Sequence, residues 1–263
     1  TTELNGIEGA ETVIISVGSQ SLRSLLQETP MQALRDKTVV LCMKGLEMGT
    51  GQRLSQIAAE CLHPSNAVAV WLGPGHVQEF YRGIPNCMVI DSANEEVKRR
   101  LVQSFSSDLI RFYYGGDMIG NEVGAAAKNV VGIAAGFLDG VEMSSLKGAL
   151  MSRGTREVAR LIQAMGGSEL SAYGLCHLGD YEATVFSPYS HNRQFGEAFI
   201  RHQDFHRLAE GFYTVEALML LGRQYGVELP ICRAVHDILY EHAAPQATLQ
   251  SLLRRGLRAE FDD

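Results

Sequence analysis

Met118–Leu138 reads Met-Ile-Gly-Asn-Glu-Val-Gly-Ala-Ala-Ala-Lys-Asn-Val-Val-Gly-Ile-Ala-Ala-Gly-Phe-Leu, with Lys128 near its middle. At helical pitch small or apolar residues cover nearly every side of this segment, and a helix apolar all round is a buried one. Burying an ammonium group is costly unless it is paired or gives up its proton, so Lys128 stands out as a candidate functional group. The plainer alternative is a long side chain snorkelling out of an interior helix. Asn121, Gly124, Ala125, Lys128, Gly132, Ala135 and Asp139 fall on one stripe of the helix. Such a stripe of small and polar residues is expected to leave a groove beside the lysine where a ligand could sit.

On the N-terminal side of this helix the chain alternates. Thr12–Val17, Thr38–Met43, Ala67–Leu72, Cys87–Asp91 and Leu109–Tyr114 are β-rich runs. Helical candidates lie between them at Ser21–Leu34, Leu54–Cys61 and Asn94–Phe105. This alternation predicts an α/β layered domain with a largely parallel sheet over residues 1–115. From Asp117 helical patterns run through Glu260, interrupted by turns such as Gly166-Gly167 and by Pro188 and Pro230, which predicts an all-helical domain over 116–263. A dinucleotide-binding sheet normally carries G-x-G-x-x-G between its first strand and helix, and none stands in that context here.

The bulk composition excludes several function classes. The 263 residues are 46% hydrophobic and 20% charged, an ordinary globular mixture. A net charge of -7 and a pI near 5.6 argue against coating nucleic acid or an anionic membrane. No apolar run approaches the ~20 residues that span a bilayer, and no signal-peptide pattern is visible. Five scattered cysteines without a CxxC suggest a reducing cytoplasm and buried thiols rather than disulfides or zinc. His202 and His206 are four apart and could share a helix face. No third ligand is evident, and no metal site is expected.

Other positions carry candidate chemistry. Lys44 follows a buried strand, where α/β proteins bind ligands, and Gly73-Pro-Gly75 follows the next strand in the same way. The lysine could hold a phosphate or carbonyl oxygen, or be a surface residue in a turn; the glycines permit close backbone approach. Asp180 lies in the glycine-bearing loop Tyr173–Asp180. Ser190-His-Asn-Arg193 opens a helix, which suits an anion site or a simple N-cap.

Together these segments resemble the NAD(P)-dependent glycerol-3-phosphate dehydrogenase family. The matching stretches are Lys44–Thr50, Gly73-Pro74, Glu122–Val130, Gly136–Gly140, Ser152–Gly154, Leu178–Asp180, Ser190–Arg193 with Phe195-Gly196, Ala209–Gly211 and Glu228–Ile231. They cover nearly the whole chain in the family's order. The resemblance implies hydride transfer between dihydroxyacetone phosphate and sn-glycerol 3-phosphate with NAD or NADP, supply of glycerophospholipid precursors, and a cytoplasmic homodimer. Lys128, Lys44 and Asp180 match the catalytic group, with Lys128 exchanging a proton with the substrate oxygen. Substrate contacts fall on Lys44, Gly73, Gly75, Asp180, Ser190, His191 and Asn192. Cofactor contacts fall on Gly18, Gln20, Lys44, Val77, His191, Leu208 and Glu210.

The departures are His191 where the family has arginine, Gly75 where it usually has serine, and the absent nucleotide fingerprint; the resemblance thus implies that residues 1–115 are a partial Rossmann-like dinucleotide-binding domain without its first βαβ unit. These departures motivate an alternative reading as a degenerate, non-catalytic homologue. A β-hydroxyacid dehydrogenase with another substrate is a further alternative. That family spaces its lysine and asparagine one helical turn apart, whereas here Lys128 and Asn129 are adjacent and Gly132 stands a turn later.

Overall fold

Five short runs rich in β-branched residues, Thr12–Ile15 (β1), Thr38–Leu41 (β2), Ala67–Leu72 (β3), Asn86–Ser92 (β4) and Ile110–Tyr114 (β5), join into one sheet in sequence order. The structure is a computed structural model and describes residues 4–7, 9–29, 31–254 and 260. Around the sheet lie α1 (Leu22–Glu28), α2 (Met31–Leu34), α3 (Leu54–Cys61), α4 (Val77–Tyr81) and α5 (Glu95–Phe105). The helices α6 (Met118–Gly140), α7 (Lys147–Ala164), α8 (His191–Ile200), α9 (Glu210–Tyr225), α10 (Pro230–Tyr240) and α11 (Pro245–Leu253) follow. The helical pattern expected as far as Glu260 falls partly at 255–259, outside the described residues.

Alternation along the strands assigns side chains to two faces. Val39, Leu41, Val70 and Leu72 join α1 and α3 in one core, while Val40, Ala69 and Ile90 join α5 in another. The single expected helix Ser21–Leu34 divides into α1 and α2. Thr29 ends α1 with an extended backbone, as the following proline in the sequence favours.

Three of the four strand pairings are parallel, and β3 with β4 is antiparallel. The β3–β4 connection carries only the short α4, so the chain turns back beside β3 without a full crossover helix. This reversal has a large consequence. β4 and β5 end at the sheet edge opposite the carboxyl ends of β1–β3, and α6 starts from that far edge. Asp91 at the end of β4 ties it down, accepting from Asp117 N at 3.1 Å and Asn121 Nδ2 at 2.8 Å. Rising at ~1.5 Å per residue, the helix has climbed ~15 Å when it reaches Lys128, roughly the length of a strand. The lysine is thereby carried back to the edge where Lys44 and Gly73 leave β2 and β3.

The helix α6 serves both cores: Ala125 packs into the sheet cluster, whereas Val123, Ala126, Val130, Ile133 and Phe137 fill the helical one. Its small-residue stripe is not an open groove. Asn192 and Thr184 lie against Gly132, the backbone of α8 lies against Gly136, and Ile200 lies against Gly140. Small residues here let two helix backbones approach closely. A β-carbon on Gly136 would fall 2.7 Å from Glu197 N and 2.9 Å from Gly196 Cα, atoms that cannot move without shifting α8. Gly136→Ala is therefore expected to cost about 2 kcal/mol or more in chemical denaturation. Gly148→Ala on α7, where nothing lies within 4 Å, should leave stability equal or slightly increased.

Candidate active site

Three elements meet at the carboxyl ends of β2 and β3. The loop after β2 contributes Lys44, α6 contributes Lys128, and the 3-10 turn Leu178–Asp180 contributes a buried carboxylate. Lys44 Nζ donates to Asp180 Oδ2 at 2.7 Å and to Gly73 O at 2.6 Å. Lys128 Nζ lies 3.1 Å from the same Asp180 oxygen and donates to Thr184 Oγ1 at 2.9 Å. One carboxylate oxygen thus serves two ammonium groups. Lys128 is only 8% exposed, so it neither snorkels nor stands unpaired. Burial pushes its pKa down to about 8; the Asp180 charge opposes that shift and the Lys44 charge adds to it. A lysine so tuned can give or take a proton near neutrality.

An amide chain frames the lysines. Asn129 Nδ2 donates to Lys44 O at 3.0 Å, Asn192 Nδ2 donates to Asn129 Oδ1 at 3.1 Å, and Gly211 N donates to Asn192 Oδ1 at 2.9 Å. Asn192 from α8 fills the space beside Gly132, so the amide one turn beyond the lysine arrives from another helix. Asn129 and Thr184 are site residues that the sequence does not single out. The available signal for Asn129 is a second polar residue in an apolar helix. Thr184 has no linear signal, because a single turn of π-helix, Glu182–Phe186, aims it at the lysine.

Four of the residues expected to hold the cofactor, Gly18, Gln20, Leu208 and Glu210, gather at the end of β1. Glu210 at the start of α9 accepts from Ser19 N at 2.8 Å and from the Ser19 hydroxyl. Gly18 lies beside Leu208 and Glu210, and Leu208 and Val17 remain exposed. Gln20 braces the Lys44 loop through Leu46 O at 2.8 Å and Met48 N at 2.9 Å. Exposed apolar side chains beside a glycine backbone and a carboxylate fit the nicotinamide and ribose end of a dinucleotide at the carboxyl end of a strand.

Other expected residues are placed less centrally. Val77 is 66% exposed at the start of α4, and His191 is exposed at the start of α8. Ser190 does cap α8, its Oγ accepting from Arg193 N at 3.3 Å, which leaves its hydroxyl proton free to meet an anion. Arg193 turns away to Asp139 and does not take over the role of an arginine at position 191. Gly75 adopts φ 144°, and a β-carbon there would meet the tip of the Phe80 ring at 2.7 Å, so a serine in this loop shape would be strained and would displace that ring. The helix α8 ends before His202 and His206, so they share no helix face, and no metal-binding cluster exists among the described residues. All five cysteines are free thiols.

A buried lysine–carboxylate pair at the junction of a Rossmann-like sheet and a helical domain suits a nicotinamide-dependent oxidoreductase, and the relatives of the chain are of that class. Residues 2–98 match the model of the NAD-dependent glycerol-3-phosphate dehydrogenase N-terminus and residues 117–250 that of its C-terminus. The chain belongs to this family. It is 37% identical over 261 residues to the glycerol-3-phosphate dehydrogenase [NAD(P)+] of Thermus thermophilus, covering 97% of this chain and 79% of that one. It is 32% identical over 267 residues to the enzyme of the same description from Pelodictyon phaeoclathratiforme, covering 97% and 80%. The crystal structure of glycerol-3-phosphate dehydrogenase from Coxiella burnetii superposes with a TM-score of 0.89 at 29% identity, covering 96% of this chain and 79% of that one.

The electrostatics of the pair yield opposite expectations for two substitutions. Asp180→Asn removes the charge that raises the Lys128 pKa, and its midpoint should fall below about 8. Lys44→Met removes the like charge that lowers it, and the midpoint should rise. NMR titration of ¹³C-lysine-labelled protein, with the Lys128 signal assigned from Lys128→Met, reads both directly.

Proposed function

We propose that the chain interconverts dihydroxyacetone phosphate and sn-glycerol 3-phosphate, with Lys128 exchanging the proton at the substrate C2 oxygen. The observation that carries this reading is the single Asp180 oxygen shared by Lys44 and Lys128 at the carboxyl ends of β2 and β3. NAD(P)H, when bound, supplies the hydride that reduces C2. In that direction Lys128 gives its proton to the developing alkoxide, and in the reverse direction the neutral amine takes it back. Thr184 holds the amine's rotamer and Asp180 keeps it aimed. Lys44 lends a fixed positive charge to the oxygen and to the phosphate. Ser190 and Asn192, at the N-terminus of α8, face the phosphate with hydroxyl, amide and backbone N–H groups.

Residues 1–115 in this reading hold the cofactor through Gly18, Gln20, Val77, Leu208 and Glu210, the last two reaching over from the helical part. Residues 116–263 hold the substrate, with His191 at the border of both sites. The enzyme acts as a cytoplasmic homodimer that supplies the glycerol phosphate backbone of glycerophospholipids. The free thiols and the family's usual assembly support this context.

Lys128→Ala in the full-length protein should lower kcat by roughly 10²–10⁴-fold with the fold intact by circular dichroism. A kcat near that of the unaltered enzyme would overturn the role given to Lys128. Oxidation of glycerol 3-phosphate needs the neutral amine and should speed up as pH rises through about 8, while reduction needs the ammonium and should slow over the same range. Dihydroxyacetone without its phosphate should be a far poorer substrate in kcat/KM; a preference for it would place the enzyme with the β-hydroxyacid dehydrogenases.

A further inference from the structure

Behind the reactive pair lies a second polar cluster that the proposed reaction does not use. His177 and Tyr181 are both fully buried and flank Asp180 in the chain. His177 Nδ1 lies 2.8 Å from Gly124 O, and its Nε2 lies 2.7 Å from the Tyr181 hydroxyl. A carbonyl only accepts, so Nδ1 carries the ring proton and Nε2 accepts from the tyrosine O–H. The two rings also pack edge to face, with centroids 4.8 Å apart.

The placement ties these groups to the lysine. Gly124 is one helical turn before Lys128 on the same face of α6. Its lack of a side chain lets residue 177 approach, since a β-carbon there would fall 3.0 Å from His177 Cβ. Asp180 N in turn donates to His177 O at 3.0 Å. At the far end, Gly154 on α7 leaves room for the Tyr181 hydroxyl, 3.3 Å from where its β-carbon would lie. The turn bearing Asp180 is therefore anchored on both sides: to α6 through His177, and against α7 through Tyr181.

We propose that His177 and Tyr181 are positioning residues, a buried hydrogen-bonded brace that holds Asp180 at ion-pair distance from Lys128. Burial pushes the His177 pKa down to about 4, and the Lys128 charge pushes the same way, so the ring stays neutral and the brace keeps one proton arrangement across the working range. The charged groups facing Lys128 are Asp180 and Lys44, with the His177 ring beyond them. If the brace loosens, Asp180 withdraws and the burial of Lys128 goes unopposed. The inference rests on the reading of Lys128 as the proton-exchanging group only for its effect on turnover; its effect on Lys128 titration is independent of that reading.

The test is the Lys128 midpoint in ¹³C-lysine-labelled full-length protein carrying Tyr181→Phe, His177→Ala or His177→Asn, read alongside kcat. Tyr181→Phe and His177→Ala should move the midpoint down by roughly half a pH unit or more, and lower kcat about tenfold with little change in the KM for NADH. His177→Asn keeps an N–H donor toward Gly124 O and should restore part of both. Should His177→Ala fail to fold, Tyr181→Phe, which deletes one oxygen, decides alone. A folded Tyr181→Phe protein with an unmoved midpoint overturns the brace, even if Lys128→Ala abolishes turnover. A moved midpoint with unchanged turnover sustains the brace and counts instead against Lys128 as the proton-exchanging group.

Discussion

One carboxylate oxygen shared between two ammonium groups is the constraint on which the molecule turns. Lys128 can sit inside an apolar helix because Asp180 faces it, and Asp180 can be buried because Lys44 reaches it from the sheet. Each charge offsets the desolvation penalty that would otherwise expel another. The balance is uneven: burial outweighs the carboxylate, and Lys128 is left near neutrality in its titration. The same three groups join the sheet, the long helix and the loop before α8, so the interaction that prepares the chemistry also docks the helical part onto the α/β part.

That meeting depends on backbone geometry far from the charges. The antiparallel turn of β4 beside β3 sends α6 off from the far edge of the sheet, and the length of the helix then returns Lys128 to the strand ends. Buried polar side chains hold this course. Asp91 grips the start of α6, and Glu122 accepts from Ser55 N at 2.9 Å while pairing with Arg53 at 2.6 Å, which offsets burial that raises its own pKa. Further along the same stripe of α6 as Asn121 and Lys128, Gly132 and Gly136 admit α8, and with it Asn192. A wider residue at Gly132 or Gly136 would hold the amide chain away from Lys44.

Much of this is legible in the residues. Strand positions follow from β-branched runs, and β3 and α3 occupy the spans their patterns predict. The long apolar helix and its anomalous lysine are visible because a charge among small and apolar residues breaks the hydrophobic pattern. Less legible is the division of Ser21–Leu34, where a residue before proline cannot comfortably stay helical. The small-residue stripe reads as a groove, yet glycines serve backbone packing as readily as ligand access, and only the partner helix distinguishes the two. Ser190 is open between cap and anion contact in the sequence, and its hydroxyl oxygen is occupied as a cap.

The sequence by itself determined the alternating α/β segment, the helical remainder and the family, and it nominated candidate residues on each element, since these depend on local periodicity and on residue types at fixed spacing. Tertiary structure alone decided which of them meet. Lys44, Lys128 and Asp180 are separated by long stretches of chain, and their shared oxygen exists only because the sheet reverses and α6 returns. Asn192 beside Gly132, Thr184 on its π-turn and the His177–Tyr181 brace are likewise products of packing. Side chains from different helices come within hydrogen-bond reach there because the backbones between them are stripped to glycine, a relation that no linear pattern encodes.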